Sequence, residues 1–212
     1  MKAIIRFLYV LLFLTATALA ATIYFMFFAN PAQKLEAKAT LGDPAAQYTY
    51  ARKLASGEGV AEDDALAVAW FRRAAEGGDV KAALTMSRLY FTGDGVDRDM
   101  IRGAYWMQKA AEAGDSYAAG MMGMLYLGGI GLQQDAHQAL AWFRKSEESE
   151  AQALGNAVAA DLEKIDGAPE DERAQKLANF HAQKQIFVQD VFARLMRRMK
   201  QHENKGEQSD GN

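Results

Sequence analysis

The strongest constraint on this chain is a register that returns every 36 residues. ASGEGVAED at 55–63, FTGDGVDRD at 91–99 and LGGIGLQQD at 127–135 are three versions of one stretch. Around them Gly42-Asp43, Gly78-Asp79 and Gly114-Asp115 align, as do Gly57, Gly93 and Gly129, then Gly59, Gly95 and Gly131. Val60, Val96 and Leu132 follow, then Asp63, Asp99 and Asp135, and the three tryptophans of the chain, Trp70, Trp106 and Trp142, complete the set. A period that holds without slippage marks an array of like units. One such unit buries too little surface to be stable alone, so neighbours must stack and share a core.

Each unit reads as two helices, the first over roughly 44–56, 80–92 and 116–127. The first glycine of the joint suits the left-handed residue that ends a helix. The second lets the chain reverse, Val60, Val96 or Leu132 tucks into the corner, and the aspartate after it caps the second helix by accepting from its free amides. Phosphate-binding glycine loops follow a strand and carry a lysine and a hydroxyl residue after their glycines. This joint lies between helices, recurs three times and has neither. The tryptophans, at a fixed place on the second helix, read as wedges in the core. Small residues recur beside them: Ala46, Ala82 and Ala118; Ala51, Ser87 and Gly123; Ala67, Gly103 and Ala139.

These residues resemble the Sel-one-like repeat, a relative of the tetratricopeptide repeat. The pattern is Gly-Asp-x-x-Ala, then Gly-x-Gly-Val-x-x-Asp, then Trp and Lys-Ala-Ala-Glu, fullest over residues 78–114. The resemblance implies an all-α fold, an α-solenoid of three helix-pair repeats over 42–149. It also implies a protein-interaction role, since members of the family act mostly as adaptors in multi-protein complexes, often in bacterial envelopes. A cysteine-rich branch of the family is linked to β-lactam binding through a disulfide-paired scaffold; this chain contains no cysteine. The first copy departs from the others at Leu54, where they have Tyr90 and Tyr126. In the third, Ser146-Glu147-Glu148 replaces Ala110-Ala111-Glu112, so the array is expected to end there, with 150–166 as a degenerate half-repeat.

Ahead of the array, residues 7–29 are 23 positions without a charge. As a helix they span roughly 35 Å, against about 30 Å for a bilayer core. The alternative is a cleaved signal peptide with FLYVLLFL as its apolar region and Ala18-Leu19-Ala20 as its cleavage site. Cleavage there leaves ATIYFMFF as a greasy mature terminus, which favours an uncleaved anchor over 1–29. Lys2 and Arg6 precede the apolar stretch, and Lys34 and Lys38 follow it. A leading anchor with its charges in front places the array on the exported side. The expected location is therefore the bacterial inner membrane, single-pass, with the solenoid periplasmic. Residues 30–41, one period before Ala74-Ala75, are expected to form a lone second-type helix that caps the front of the stack.

Behind the array, 167–202 reads as an amphipathic C-terminal helix that begins with Glu170, Asp171 and Glu172, whose charges suit its N-terminal dipole. Its stretch from Leu177 through Phe180 and Phe187 to Val188 is expected to cap the open end of the solenoid. Val191, Phe192, Leu195, Met196 and Met199 are left between capping and contact with a partner. Residues 203–212 are expected to be a disordered tail.

The sequence offers little catalytic chemistry. His137, His181 and His202 are scattered, no nucleophile or zinc-protease motif occurs, and nothing calls for a cofactor or a metal. A net charge of −3 with both signs interspersed speaks against a nucleic-acid partner. By analogy with tetratricopeptide geometry, first-helix residues line a concave face: Tyr48 and Arg52, then Leu84, Arg88 and Phe91, then Met124 and Leu127. The expected function is a membrane-anchored, non-enzymatic scaffold whose protein partner lies in or near the membrane, an adaptor or accessory or assembly subunit of an envelope complex. Two alternatives stand beside it. One is a permanent structural subunit of an integral membrane complex, packed through Thr15, Ala16, Ala18, Ala20 and Ala21. The other is a groove-binding enzyme acting on cell-wall fragments or β-lactams.

Overall fold

The computed structural model describes residue 6 and residues 9–20 and 31–209, with side chains as far as residue 194. From Pro31 onward it is all helical: α1 (Pro31–Thr40), α2 (Pro44–Ser56), α3 (Asp64–Glu76), α4 (Val80–Thr92), α5 (Met100–Glu112), α6 (Ser116–Gly128), α7 (Ala136–Phe143), α8 (Ser149–Asp166) and α9 (Glu170–Ser209). Each helix packs on its chain neighbours from α1 to α9, so α2/α3, α4/α5 and α6/α7 form three stacked hairpins.

The boundaries follow from capping chemistry that repeats with the sequence. Asp63, Asp99 and Asp135 accept hydrogen bonds from Leu66 N, from Ile101 and Arg102 N, and from His137 and Gln138 N, all at 2.9–3.0 Å. Asp43, Asp79 and Asp115 do the same for the first helices, through Ala45 and Ala46 N, Ala82 N and Ala118 N. A side-chain cap of this kind is worth about 1 kcal/mol. The amides of Asp63, Asp99 and Asp135 donate to Leu54 O, Tyr90 O and Tyr126 O, which closes each turn on the end of the first helix. Gly57, Gly93 and Gly129 have φ of 68°, 82° and 63°, the left-handed conformation the joint requires.

The core is continuous along the stack. Trp70, Trp106 and Trp142 are buried to 9%, 7% and 8% exposure, in the wedge role expected of them. Small residues receive the rings packed across each hairpin. A Cβ on Gly103 would lie 2.5 Å from the ring of Phe91, and one on Gly123 would lie 2.5 Å from the ring of Phe143. Ser87, fully buried, donates its hydroxyl to Gly103 O at 2.8 Å.

At the front, α1 packs on α2. The bond from Asp43 N to Lys38 O repeats that from Asp79 N to Ala74 O, and Gln47 Nε2 donates to Ala39 O at 3.0 Å. At the back the repeat frays, and α7 has 8 residues where α3 and α5 have 13. Ser146 accounts for the early stop. Buried to 1% exposure, its hydroxyl donates to Ser116 O at 2.9 Å and accepts from Glu148 N at 3.2 Å, a local alternative to helical bonding. α8 follows from Ser149.

Two features of the C-terminal helix differ from expectation. α9 continues to Ser209, beyond residue 202 and into the stretch expected to be a disordered tail, because no proline breaks it and each added residue gains a backbone bond. Phe187, expected in the capping face, is 53% exposed, while Val188 is fully buried. Adjacent positions point about 100° apart on a helix, and with Val188 aimed at the array Phe187 turns outward.

Residues 9–20 are helical, with Tyr9, Phe13 and Leu19 more than 60% exposed. Among the described residues no helix is long and apolar enough to cross a membrane. Residues 7–8 and 21–29 of the expected span of 7–29 lie outside the described residues.

Candidate partner-binding face

The first helices α2, α4 and α6 carry the face expected to be a binding groove, and the structure places α9 upon it. α9 packs along α6, reaches α4 and leans on α8. It therefore turns back over the face of the first helices as well as covering the open end. Lys184 Nζ pairs with Asp161 Oδ2 of α8 at 3.1 Å. Gln134 Nε2, from the third turn, donates both to Leu127 O at 2.7 Å and to His181 O of α9 at 2.9 Å. Further along, Val188 meets Gly128 so closely that a Cβ there would lie 2.7 Å from Val188 Cγ1. Phe192 then packs edge-on against Phe91, with ring centroids 5.0 Å apart at 86°.

The residues expected to line an open strip divide accordingly. Phe91 and Leu127 are at 1% and 0% exposure, held inside the chain's own packing, with Phe91 wedged on Gly103 and covered by Phe192. Neither lies on an open surface. Leu84 and Met124 are half-buried against the core. Arg88 is paired with Asp94 at 3.5 Å and 15% exposed, which ties it to its own turn. Tyr48 is half-buried with its ring tilted on Phe71 at 5.7 Å, and Arg52 is exposed on α2. On α9, Val191 is half-buried and Phe192 is at 5% exposure against the array. The side chains of Leu195, Met196 and Met199 lie outside the described residues.

Arg98 and Gln134 belong to the site although the sequence reading passed over them. They hold the same place in the repeat and do the same work, since Arg98 Nε donates to Phe91 O at 3.0 Å as Gln134 does to Leu127 O. The first copy has Glu62 there, which cannot donate when ionised. A long donor just before the capping aspartate in two copies was the available signal. Between the end of α4, the third turn and α9 lies a cleft of about 550 Å³, walled by Phe91, Met100, Ile130 and Phe192 and bordered by Arg98 and Gln189.

His181 sits where α9 first meets the array. Its Nε2 is buried and has no hydrogen-bond partner. Burial pushes its pKa below the ordinary value; Asp135 pulls it back up and His137 pushes it further down. Among the described residues no three His, Asp or Glu side chains converge as a metal site.

An array of capped helix hairpins, stacked through buried tryptophans and with its first helices aligned on one face, is a helical-repeat solenoid. Its repeats match the Sel1 repeat family at residues 44–79, 80–115 and 116–149, half of the chain, and the chain belongs to that family. Proteins of the family are generally protein–protein interaction scaffolds. The chain is similar to a Sel1 repeat protein from Oxalobacter formigenes, at 32% identity and a TM-score of 0.56, over 59% of this chain and 96% of that one. It is also similar to a protective antigen present in uropathogenic Escherichia coli strains that displays an SLR fold. That match has 32% identity and a TM-score of 0.50, over 55% of this chain and a quarter (25%) of that one. No curated protein matches the chain.

Proposed function

We propose that this chain is a non-catalytic scaffold tethered to the bacterial inner membrane through residues 7–29, with its repeat array on the periplasmic side. It serves as an adaptor or as an accessory or assembly subunit of an envelope complex, and its partner is a protein in or near the membrane. The observation that carries the reading is the family's first-helix face. α9 covers it from α6 to α4, and Arg52 on α2 stays exposed beside the half-buried Tyr48. An exposed cation next to an aromatic edge suits a polar protein surface with an apolar anchor. The tether is supported by the 23 uncharged positions and by the exposed apolar side chains of the helical stretch 9–20, which water does not favour.

A permanent place in an integral membrane complex is favoured by one feature. Thr15 and Thr17 bond their hydroxyls to Leu12 O and Leu14 O at 2.9 Å, which satisfies them within their own helix and leaves small residues free to meet a neighbouring helix. Affinity purification of the full-length chain from native membranes in mild detergent, followed by mass spectrometry, tests both readings. The expected result is a defined set of membrane-associated proteins that the Arg52→Glu variant loses. Stoichiometric subunits that survive Arg52→Glu favour the permanent subunit. Retention of nothing above the untagged control removes the scaffold reading.

A further inference from the structure

α9 reveals what the face between α6 and α4 accepts. Gly128 lets a helix approach α6 closely enough to seat Val188, and one turn further on Phe91 offers an edge to the ring of Phe192. Among the described residues the fit is incomplete. Protein interiors are close-packed, yet the cleft of about 550 Å³ opens directly beside the Phe192 anchor. Among the described residues Arg98 is the one ionisable residue bordering the cleft; it is exposed at the rim, its Nε is held by Phe91 O, and it has no ion pair there. The neighbouring Asp97 is exposed and Asp99 is engaged in capping α5 and pairing Arg102. α9 meets the cleft with Gln189 and Ala193, neither of which carries a charge.

The described side chains of α9, up to Arg194, are held unequally along the helix. The proximal half has the Lys184–Asp161 ion pair and the Gln134 bond to His181 O. Beyond it the described anchors are Val188 and Phe192, while Ile186 and Phe187 are 74% and 53% exposed on the other side.

We propose that the face between α6 and α4 is a helix-binding groove in which the distal half of α9 is an exchangeable resident, and that its partner is an amphipathic helix bearing an aromatic anchor with a carboxylate one residue away. The aromatic takes the seat of Phe192 and the carboxylate reaches Arg98, making the charge-assisted bond that the described residues of α9 do not make. This rests on the scaffold reading and specifies its ligand.

The chain has no cysteine, so two introduced ones can be labelled selectively. Ser56→Cys at the exposed end of α2 and Arg194→Cys on the exposed side of α9 place spin labels on the array and on the distal helix. The full-length protein in detergent is titrated with synthetic peptides of its own residues 170–194, unmodified or carrying A193E, and the label separation is read by pulsed electron resonance. The expected result is a lengthened separation with both peptides, at up to about fivefold lower concentration for the A193E peptide, the range of a partly exposed ion pair. That advantage disappears in an Arg98→Ala protein and with a peptide that also carries F192A. A separation that no peptide alters makes α9 a fixed cap and overturns the proposal. So does displacement by A193E that is indifferent to Arg98. Either result, with an Arg52-dependent set of partners still retained from membranes, sinks the helix-exchange proposal alone; loss of every partner sinks the scaffold reading beneath it.

Discussion

Replacing Gly131 by alanine tests how the units are stacked, because the same substitution one or two periods earlier provides its own control. Gly59, Gly95 and Gly131 occupy equivalent turn positions with φ of 75°, 68° and 68°. Each alanine variant therefore carries the left-handed backbone penalty, roughly 1–2 kcal/mol. Their surroundings differ. At Gly59 a Cβ would meet nothing within 4 Å, and at Gly95 it would meet only Val68 Cγ2 at 3.3 Å, a side chain able to turn away. At Gly131 it would overlap Met100 O, the backbone at the start of α5 in the preceding unit. That approach is well inside the 3.4 Å at which ordinary contact begins, so the third unit must shift away from the second. Overpacking of this kind adds about 1–3 kcal/mol. Gly59→Ala should thus cost roughly 1–2 kcal/mol and Gly131→Ala roughly 2–5 kcal/mol, with Gly95→Ala nearer the former. Urea unfolding of the full-length variants in detergent, followed by far-ultraviolet circular dichroism, supplies the comparison. A stacked array can melt unit by unit, so limited proteolysis should locate the first loosening at the joint between the second and third units in Gly131→Ala. Equal losses at Gly59 and Gly131 would refute the account of inter-unit contact.

Two further predictions concern α9. Gly128→Ala should destabilise its docking by about 1–3 kcal/mol, since the new methyl group collides with Val188. The same substitution in a Val188→Ala background should cost measurably less, and a double-mutant cycle on urea midpoints that shows no coupling excludes the close approach. His181 should make stability depend on pH. Its folded pKa lies below its ordinary value of 6.5, so the folded chain binds fewer protons than the unfolded one between those two values. Its contribution is complete above about pH 6.5 and is lost as pH falls below it. Melting temperatures from about pH 7.5 down to about pH 5 should fall more steeply for the wild type than for His181→Gln, and parallel curves would remove His181 as the cause.

The array was legible because its determinants are local. Asp63, Asp99 and Asp135 cap helices that start at the next residue, and the glycines that end α2, α4 and α6 act on their own helices. Such interactions join residues a few positions apart, so a repeated spelling dictates a repeated geometry. The shorter α7 was half legible. The loss of the Ala-Ala pair signalled an ending, but the bond from the Ser146 hydroxyl to Ser116 O spans 30 residues and carries no local mark.

The binding face was less legible for the same reason. Arg88 and Arg52 look alike in the repeat, yet Asp94 in the second turn ties down one, while the first turn has Glu58 in that place, paired with Lys53. Phe91 reads as a surface aromatic until Gly103 on one side and Phe192 on the other enclose it. The amphipathic pattern of α9 announced that one face would be buried without saying against what.

By itself, then, the sequence determined the period, the helix hairpins, their caps and the family, through hydrogen bonds and backbone conformations settled within each unit. Only the tertiary structure decided that α9 lies back across α6 to α4. That choice depends on the fit between surfaces far apart in the chain, such as Val188 on Gly128 and Phe192 on Phe91, and no local pattern encodes it.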